Sequence, residues 1–180
     1  RPSVYNRPRT QTRSEREEER RPALKTPPAP VRLEIRYADL DPYGHVNNAV
    51  YLAFFEQVRF AYWNALADLA GIAEREAGDV PGARYVIAET NLSFEAPIFF
   101  ESNLHGAATV PWVGNRSYAM DFELRTGESF DTGELACEGF AAHVFFDPAK
   151  DEVQPRPDWF LPTVAALEGR PEEDFAPPER

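Results

Sequence analysis

An aspartate, a histidine and two asparagines stand within eight residues of one another, at Asp41, His45, Asn47 and Asn48. An acid, an imidazole and amide groups at that spacing can activate water and steady an oxyanion. They belong to the stretch Arg36 to Arg59, RYADLDPYGHVNNAVYLAFFEQVR, in which Pro42 and Gly44 punctuate a loop. Asn47 or Asn48 can cap the helix that follows, whose first N–H groups lack intrahelical partners and carry the positive end of the dipole. One such donor held against a tetrahedral intermediate is worth about 10²- to 10³-fold in rate. Asp41 lies seven residues before Asn48, close enough to face the same carbonyl.

The elements that position these groups are legible in the hydropathy pattern. Apolar Val31, Leu33, Ile35 and Tyr37 alternate with Arg32, Glu34 and Arg36, the period of a half-buried strand. From Asn48 to about Ala70 no Pro or Gly interrupts a run of helix formers that is apolar around most of its circumference, so the helix is expected to be wrapped. It still carries Glu56, Arg59, Asn64 and Asp68, which speaks against a lipid span. After a polar loop at Glu74 to Gly82, strands are predicted at Glu89–Ala96, Leu104–Val113, Ser117–Arg125 and Leu135–Phe146. A short amphipathic helix at Trp159–Leu167 lies within a Pro-rich, acidic tail. One strand, a long helix and four strands suggest an α+β domain with an antiparallel sheet curled around one helix.

At the loop and helix start the sequence resembles the 4-hydroxybenzoyl-CoA thioesterase-like family of hotdog proteins. Within it, the resemblance is to the acyl-CoA and acyl-ACP thioesterases that carry a D-x-x-x-HVNN-x-x-Y-x-x-x-x-E pattern, which reads here Asp41, His45-Val46-Asn47-Asn48, Tyr51 and Glu56. TNLSFEAPIFFES at 90–102 is similar to the family's second strand and turn, and WVGNRSY at 112–118 to its next hairpin. The resemblance implies a hotdog fold, with an antiparallel sheet of five or more strands around one central helix. It implies hydrolysis of an acyl-CoA or acyl carrier protein thioester, with Asp41 acting either as general base on water or as a nucleophile forming a mixed anhydride. By the same matching the Asn48 backbone N–H falls at the oxyanion position, and His45 orients or polarises the site. Glu56 matches a catalytic carboxylate of a second hotdog lineage and is the reserve candidate. Tyr43, Phe55, Arg116 and Ser117 are the substrate-side candidates. Tyr43 stands where the acyl-ACP enzymes have Asn, and Arg116 alone stands where some CoA-hydrolysing relatives place a basic cluster.

Each candidate also has a structural reading. Asp41 can be a turn carboxylate beside Pro42, Glu56 a partner for Arg59, and Tyr51 and Phe55 core residues. His105, His143 and Cys137 lie in predicted strands with no nucleophile–base pair near them and are read as structural. Two other functions compete. An enoyl-thioester hydratase or dehydratase uses an acid and a His on the same scaffold, but its pattern resembles D-x-N-P-x-H, one residue longer than the Asp41–His45 interval. A non-catalytic acyl-thioester-binding module is the other.

The single Cys137 excludes an internal disulfide framework and any multi-cysteine metal site, and no cofactor is expected. Such usage suits the cytoplasm. Residues 1–30 hold seven Arg and one Lys against four Glu, a balance of +4, so with −11 overall residues 31–180 hold −15. That field repels nucleic acid and slows an approaching polyanion, which leaves CoA dependent on local cations. An acidic carrier protein fits it less well than CoA. The leader 1–30 is expected to be disordered and is neither a secretory nor an import signal. With Arg at position 1, upstream sequence is expected to have been removed. The hotdog domain is placed at 31–160 and the short helix and tail at 161–180. An isolated hotdog leaves a sheet edge open, so a homodimer or homotetramer is expected.

Overall fold

The structure, a computed structural model, describes residues 27–73, 80 and 82–178. The leader through residue 26 and most of the loop at Glu74 to Gly82 lie outside the described residues. Strands β1 (Val31–Leu33), β2 (Tyr85–Phe94), β3 (Leu104–Thr109), β4 (Ser117–Thr126), β5 (Glu134–Asp147) and β6 (Glu152–Val153) build one six-stranded antiparallel sheet. The strand order is β1-β3-β4-β5-β2, with β6 paired to β5. Helix α1 (Tyr51–Leu69) lies against its concave face, and α2 (Phe160–Glu168) packs beside α1.

Helix α1 docks through a stripe at helical spacing: Tyr51, Phe54, Phe55, Val58, Arg59, Tyr62, Trp63, Leu66 and Ala67 are all buried. Complete burial of a large apolar side chain stabilises by about 1.5–3 kcal/mol, so this stripe dominates the core. The sheet meets it with small residues. A Cβ added at Gly139 would strike the Phe55 ring and lie 2.9 Å from the Asn91 carbonyl, and one at Gly106 would strike Val58. These two glycines let the helix press onto the sheet. Phe55 stacks on Phe122 with ring centroids 4.7 Å apart, so it is a core residue. The opposite face of α1 is open in the single chain, with Leu52 45% and Phe60 37% exposed. The sheet curls around one face of the helix and leaves the other uncovered.

The predicted first strand is also corrected. It ends at Leu33, and Tyr37 starts a 3₁₀ turn, Tyr37–Asp39, that leaves its side chain 82% exposed. The Asp39 carboxylate accepts hydrogen bonds from the Arg36 N–H at 2.8 Å and from its guanidinium at 2.8 Å. Those bonds to the Arg36 guanidinium hold the Asp39 pKa below the usual carboxylate range against the opposing effect of burial. At the other end of the chain, Phe160, Val164 and Phe175 are buried in the core. Glu168 fastens that segment by accepting from the Tyr62 hydroxyl at 2.8 Å and the Val110 N–H at 2.6 Å, and burial raises its pKa.

His143, on β5 beneath α1, is fully buried, and burial with the adjacent Arg59 lowers its pKa from 6.5 to about 3. The folded protein therefore keeps it neutral, whereas the unfolded chain binds a proton below pH 6.5. This group's contribution to stability is lost as pH falls from 6.5 toward 3, by about 2 kcal/mol at pH 5. Chemical unfolding at pH 7.5 and pH 5 is expected to show a loss in the native chain that shrinks by roughly that amount in His143→Gln. Identical pH profiles for the two proteins would contradict this.

Candidate functional site

The site forms where the loop after β1 meets the start of α1. The Asp41 N–H donates to the His45 carbonyl at 2.8 Å and the Gly44 N–H to the Asp41 carbonyl at 3.0 Å, closing a tight turn in which Gly44 takes a positive φ of 84°. The turn is pinned on two sides. Val46 N–H donates to the Ile98 carbonyl, and Asn47 N–H to the Asp39 carbonyl, both at 2.8 Å. Asp39 thus anchors the loop, a role that reading the motif missed; the signal was the Arg36–Asp39 pair at i,i+3.

Within the turn, Asp41 Oδ1 accepts from the Tyr43 N–H at 2.8 Å, and Oδ2 lies 3.1 Å from His45 Nδ1. An ionised carboxylate only accepts, so the short contact requires Nδ1 to carry the proton, and in a neutral imidazole Nε2 then holds the lone pair of a base. Tyr43, 84% exposed, stacks on the imidazole at 6.1 Å and 23°, and Phe99 meets it edge-on at 6.5 Å. The ring is therefore held by an acid at its edge and aromatics on its faces.

Asn47 caps the helix start, its Oδ1 accepting the Ala49 N–H at 3.0 Å. A 3₁₀ turn, Asn48–Val50, leads into α1, and the Asn48 N–H has no hydrogen-bond partner among the described residues. Asn48 itself lines a cleft of about 230 Å³, together with His45, Val46, Tyr51, Phe94, Glu95, Ala96 and Pro97. The cleft thus brings together a base candidate and an unpaired amide. Asp41 is not part of its wall and meets it only through the contact to His45. Phe94, which meets Tyr51 at 4.9 Å, and the Glu95-Ala96-Pro97 turn were not among the sequence candidates.

The remaining candidates lie elsewhere. Phe55 is in the core, and Glu56 is 57% exposed along its side chain, 3.8 Å from Arg59 Nη2. Arg116 and Ser117 are at the start of β4, where Ser117 pairs with Val144; the cleft lies at the opposite end of β5, where Phe94 pairs with Cys137. Seven residues of strand separate the two ends, roughly 23 Å. Among the described residues no cluster of three or more His, Cys, Asp or Glu could hold a metal, and no helix is long and apolar enough to cross a membrane.

The sequence matches the thioesterase-like superfamily over residues 35–164. The chain belongs to that superfamily. A thioesterase from Thermus thermophilus, solved with coenzyme A and zinc, is 27% identical with a TM-score of 0.68, the match covering 82% of this chain and 99% of that one. A thioesterase superfamily protein from Jannaschia sp. CCS1 is 20% identical, with a TM-score of 0.64 over 78% of this chain and 83% of its own. A 1,4-dihydroxy-2-naphthoyl-CoA thioesterase from Synechocystis is 18% identical, with a TM-score of 0.59 over 78% and 97%. No curated protein matches significantly. The thioesterase has the hotdog fold, its antiparallel sheet curled on the long helix, and it is a thioester hydrolase.

Proposed function

We propose that this thioesterase hydrolyses acyl-CoA at the His45–Asn48 cleft, with Asp41 and His45 acting as a couple. The observation that carries the reading is a cleft lined both by Asn48, whose N–H is unpaired among the described residues, and by the His45 imidazole, which lies 3.1 Å from Asp41. The His45 Nε2 lone pair takes a proton from water, and the water oxygen attacks the thioester carbonyl carbon. The carbonyl oxygen, now an oxyanion, is stabilised by the Asn48 N–H at the helix start. Collapse breaks the carbon–sulfur bond, and the departing thiolate takes the proton from His45. Asp41 stays ionised and balances the transient imidazolium.

CoA is favoured over a carrier protein because residues 31–180 hold −15, which opposes an acidic partner protein. A cytosolic setting agrees with the lone, buried Cys137.

A second copy completes the site in this proposal. Strand β2 is ten residues long and, among the described residues, pairs only with β5. Val86, Ile87 and Phe94 are 45–49% exposed on it, beside the open face of α1. An edge of that length and apolar content calls for cover. Antiparallel pairing with another β2 would bring the far end of the second sheet, with its exposed Arg116, toward the first chain's cleft, where it supplies a cation for CoA phosphate.

Two measurements test this proposal. Thiol release from a panel of short, long and aromatic acyl-CoAs is the expected reaction; hydration of crotonyl-CoA without thiol release, or tight binding without turnover, would replace it with the hydratase or the binding module. Light scattering is expected to give at least two chains of 20.4 kDa per particle, and a monomer at micromolar concentration would overturn the shared site.

A further inference from the structure

Below the cleft, α1 carries a charge into the core. Arg59 is 4% exposed and His143 is fully buried, and Arg59 Nη1 lies 3.4 Å from His143 Nε2. Because a guanidinium only donates, His143 Nε2 is the acceptor and its Nδ1 carries the proton. Arg59 Nε and His143 Nδ1, both buried, then have no hydrogen-bond partner. Among the described residues the ion-pair partner of Arg59 is Glu56, at 3.8 Å and 57% exposed along its side chain, a weak screen for a buried cation. The Tyr85 ring faces the same guanidinium at 5.9 Å. A buried guanidinium with an unpaired Nε–H and only an exposed carboxylate beside it calls for an anionic acceptor.

The surroundings say which acceptor. Tyr51, Phe55 and Arg59 follow one another along one helix stripe, meeting Phe94, Gly139 and His143 in turn. Phe94, Leu92 and Ile87 pair with Cys137, Gly139 and His143, so they line the same face of the sheet. That inner face of β2 is open, with Phe94 49% and Ile87 47% exposed, and Phe94 also lines the cleft at Asn48. From Tyr51 to Arg59 the helix climbs roughly 12 Å. An extended acyl chain covers that distance in roughly ten bonds of ~1.2 Å each. We infer that the acyl groove ends at Arg59, His143 and Tyr85, and that the acyl group this thioesterase takes carries a carboxylate at its far end. The inference rests on the acyl-CoA reading of the cleft. A planar carboxylate accepts from the guanidinium fork, including its Nε–H, and a methyl terminus leaves that donor unpaired.

The test compares kcat/KM for adipoyl-, suberoyl- and sebacoyl-CoA with hexanoyl-, octanoyl- and decanoyl-CoA, in the native full chain, Arg59→Met and Arg59→Lys. The native chain is expected to favour the best carboxylated substrate over its plain counterpart by about 10²-fold or more. Arg59→Met is expected to erase or invert that ratio, and Arg59→Lys to leave it between the two. Should Arg59→Met fail to fold, the native ratio and Arg59→Lys decide. A native chain that hydrolyses decanoyl-CoA as well as sebacoyl-CoA overturns the inference and leaves the hydrolase reading standing. Dimer dissociation in Arg59→Met without any native preference also overturns it, assigning the guanidinium to the interface. Hydrolysis of none of the six overturns this inference, and if the aromatic acyl-CoAs are not hydrolysed either, the reading of the cleft falls with it.

Discussion

Asp41→Asn is expected to lower kcat about 10³- to 10⁴-fold while leaving the protein folded. The loss follows from the tautomer. The carboxylate at 3.1 Å keeps the proton on His45 Nδ1, whereas an amide in its place can donate to Nδ1 and drive the proton to Nε2, where the base must be free. Stability is expected to survive because Asn keeps an acceptor oxygen for the Tyr43 N–H, which now donates to Asp41 Oδ1 at 2.8 Å. Steady-state kinetics on the best acyl-CoA and thermal unfolding check both halves. His45→Gln is expected to cost about 10²- to 10⁴-fold in the same assay. If His45→Gln retains near-native turnover and Asp41→Asn does not, Asp41 itself takes the proton or attacks the carbonyl, and the couple proposed above is wrong.

Trp63→Ala is expected to carry the largest stability effect, about 3–5 kcal/mol. The indole is 2% exposed at the centre of an aromatic cluster, stacked on Tyr85 at 5.4 Å and 17°, and 5.4 Å from Phe160 on α2. Its N–H donates to the Tyr118 hydroxyl at 3.2 Å, and Tyr118 is itself fully buried. Truncation opens a cavity between α1, the sheet and α2 at once and leaves that hydroxyl without its donor. Against a typical net stability of about 5–15 kcal/mol this is a large fraction. For a chain of this size the loss corresponds to a drop of roughly 6 to 20 °C in Tm by circular dichroism. Trp63→Phe, which keeps a ring in the cavity, is expected to lose less. A Tm unchanged by Trp63→Ala would mean that α2 and the cluster contribute little to the fold.

How far the structure could be read in advance varies with the local physics. Ser117–Thr126 was legible because Tyr118, Met120, Phe122 and Leu124 share one buried face with no competing signal. The first strand was overread, since apolar alternation runs on to Tyr37 while the Arg36–Asp39 capping pair turns the chain after Leu33. Strand β2 begins at Tyr85, four residues before its predicted start, because the register shift between Ile87 and Glu89 breaks the alternation that would reveal it. The largely apolar circumference of α1 hid an open face, because periodicity along the helix does not show which part of its surface its own sheet will cover. At the site, the Asp41–His45 spacing and the Asn47 cap were readable from residue types. Asp39 and the Phe94-to-Pro97 wall were not, since the wall is joined to the loop by the Val46–Ile98 hydrogen bond and the His45–Phe99 bridge, contacts across fifty residues or more.

In the proposed reaction the first free amide of the helix start holds the thioester oxygen beside His45. Its most direct test is a ¹⁵N NMR titration with a non-hydrolysable acyl-CoA ketone, in which a methylene replaces the thioester sulfur. The Asn48 amide resonance is expected to shift strongly downfield on saturation, together with the His45 ring signals. Saturable binding that leaves the Asn48 amide and the His45 ring unmoved would place the chemistry somewhere else in the molecule.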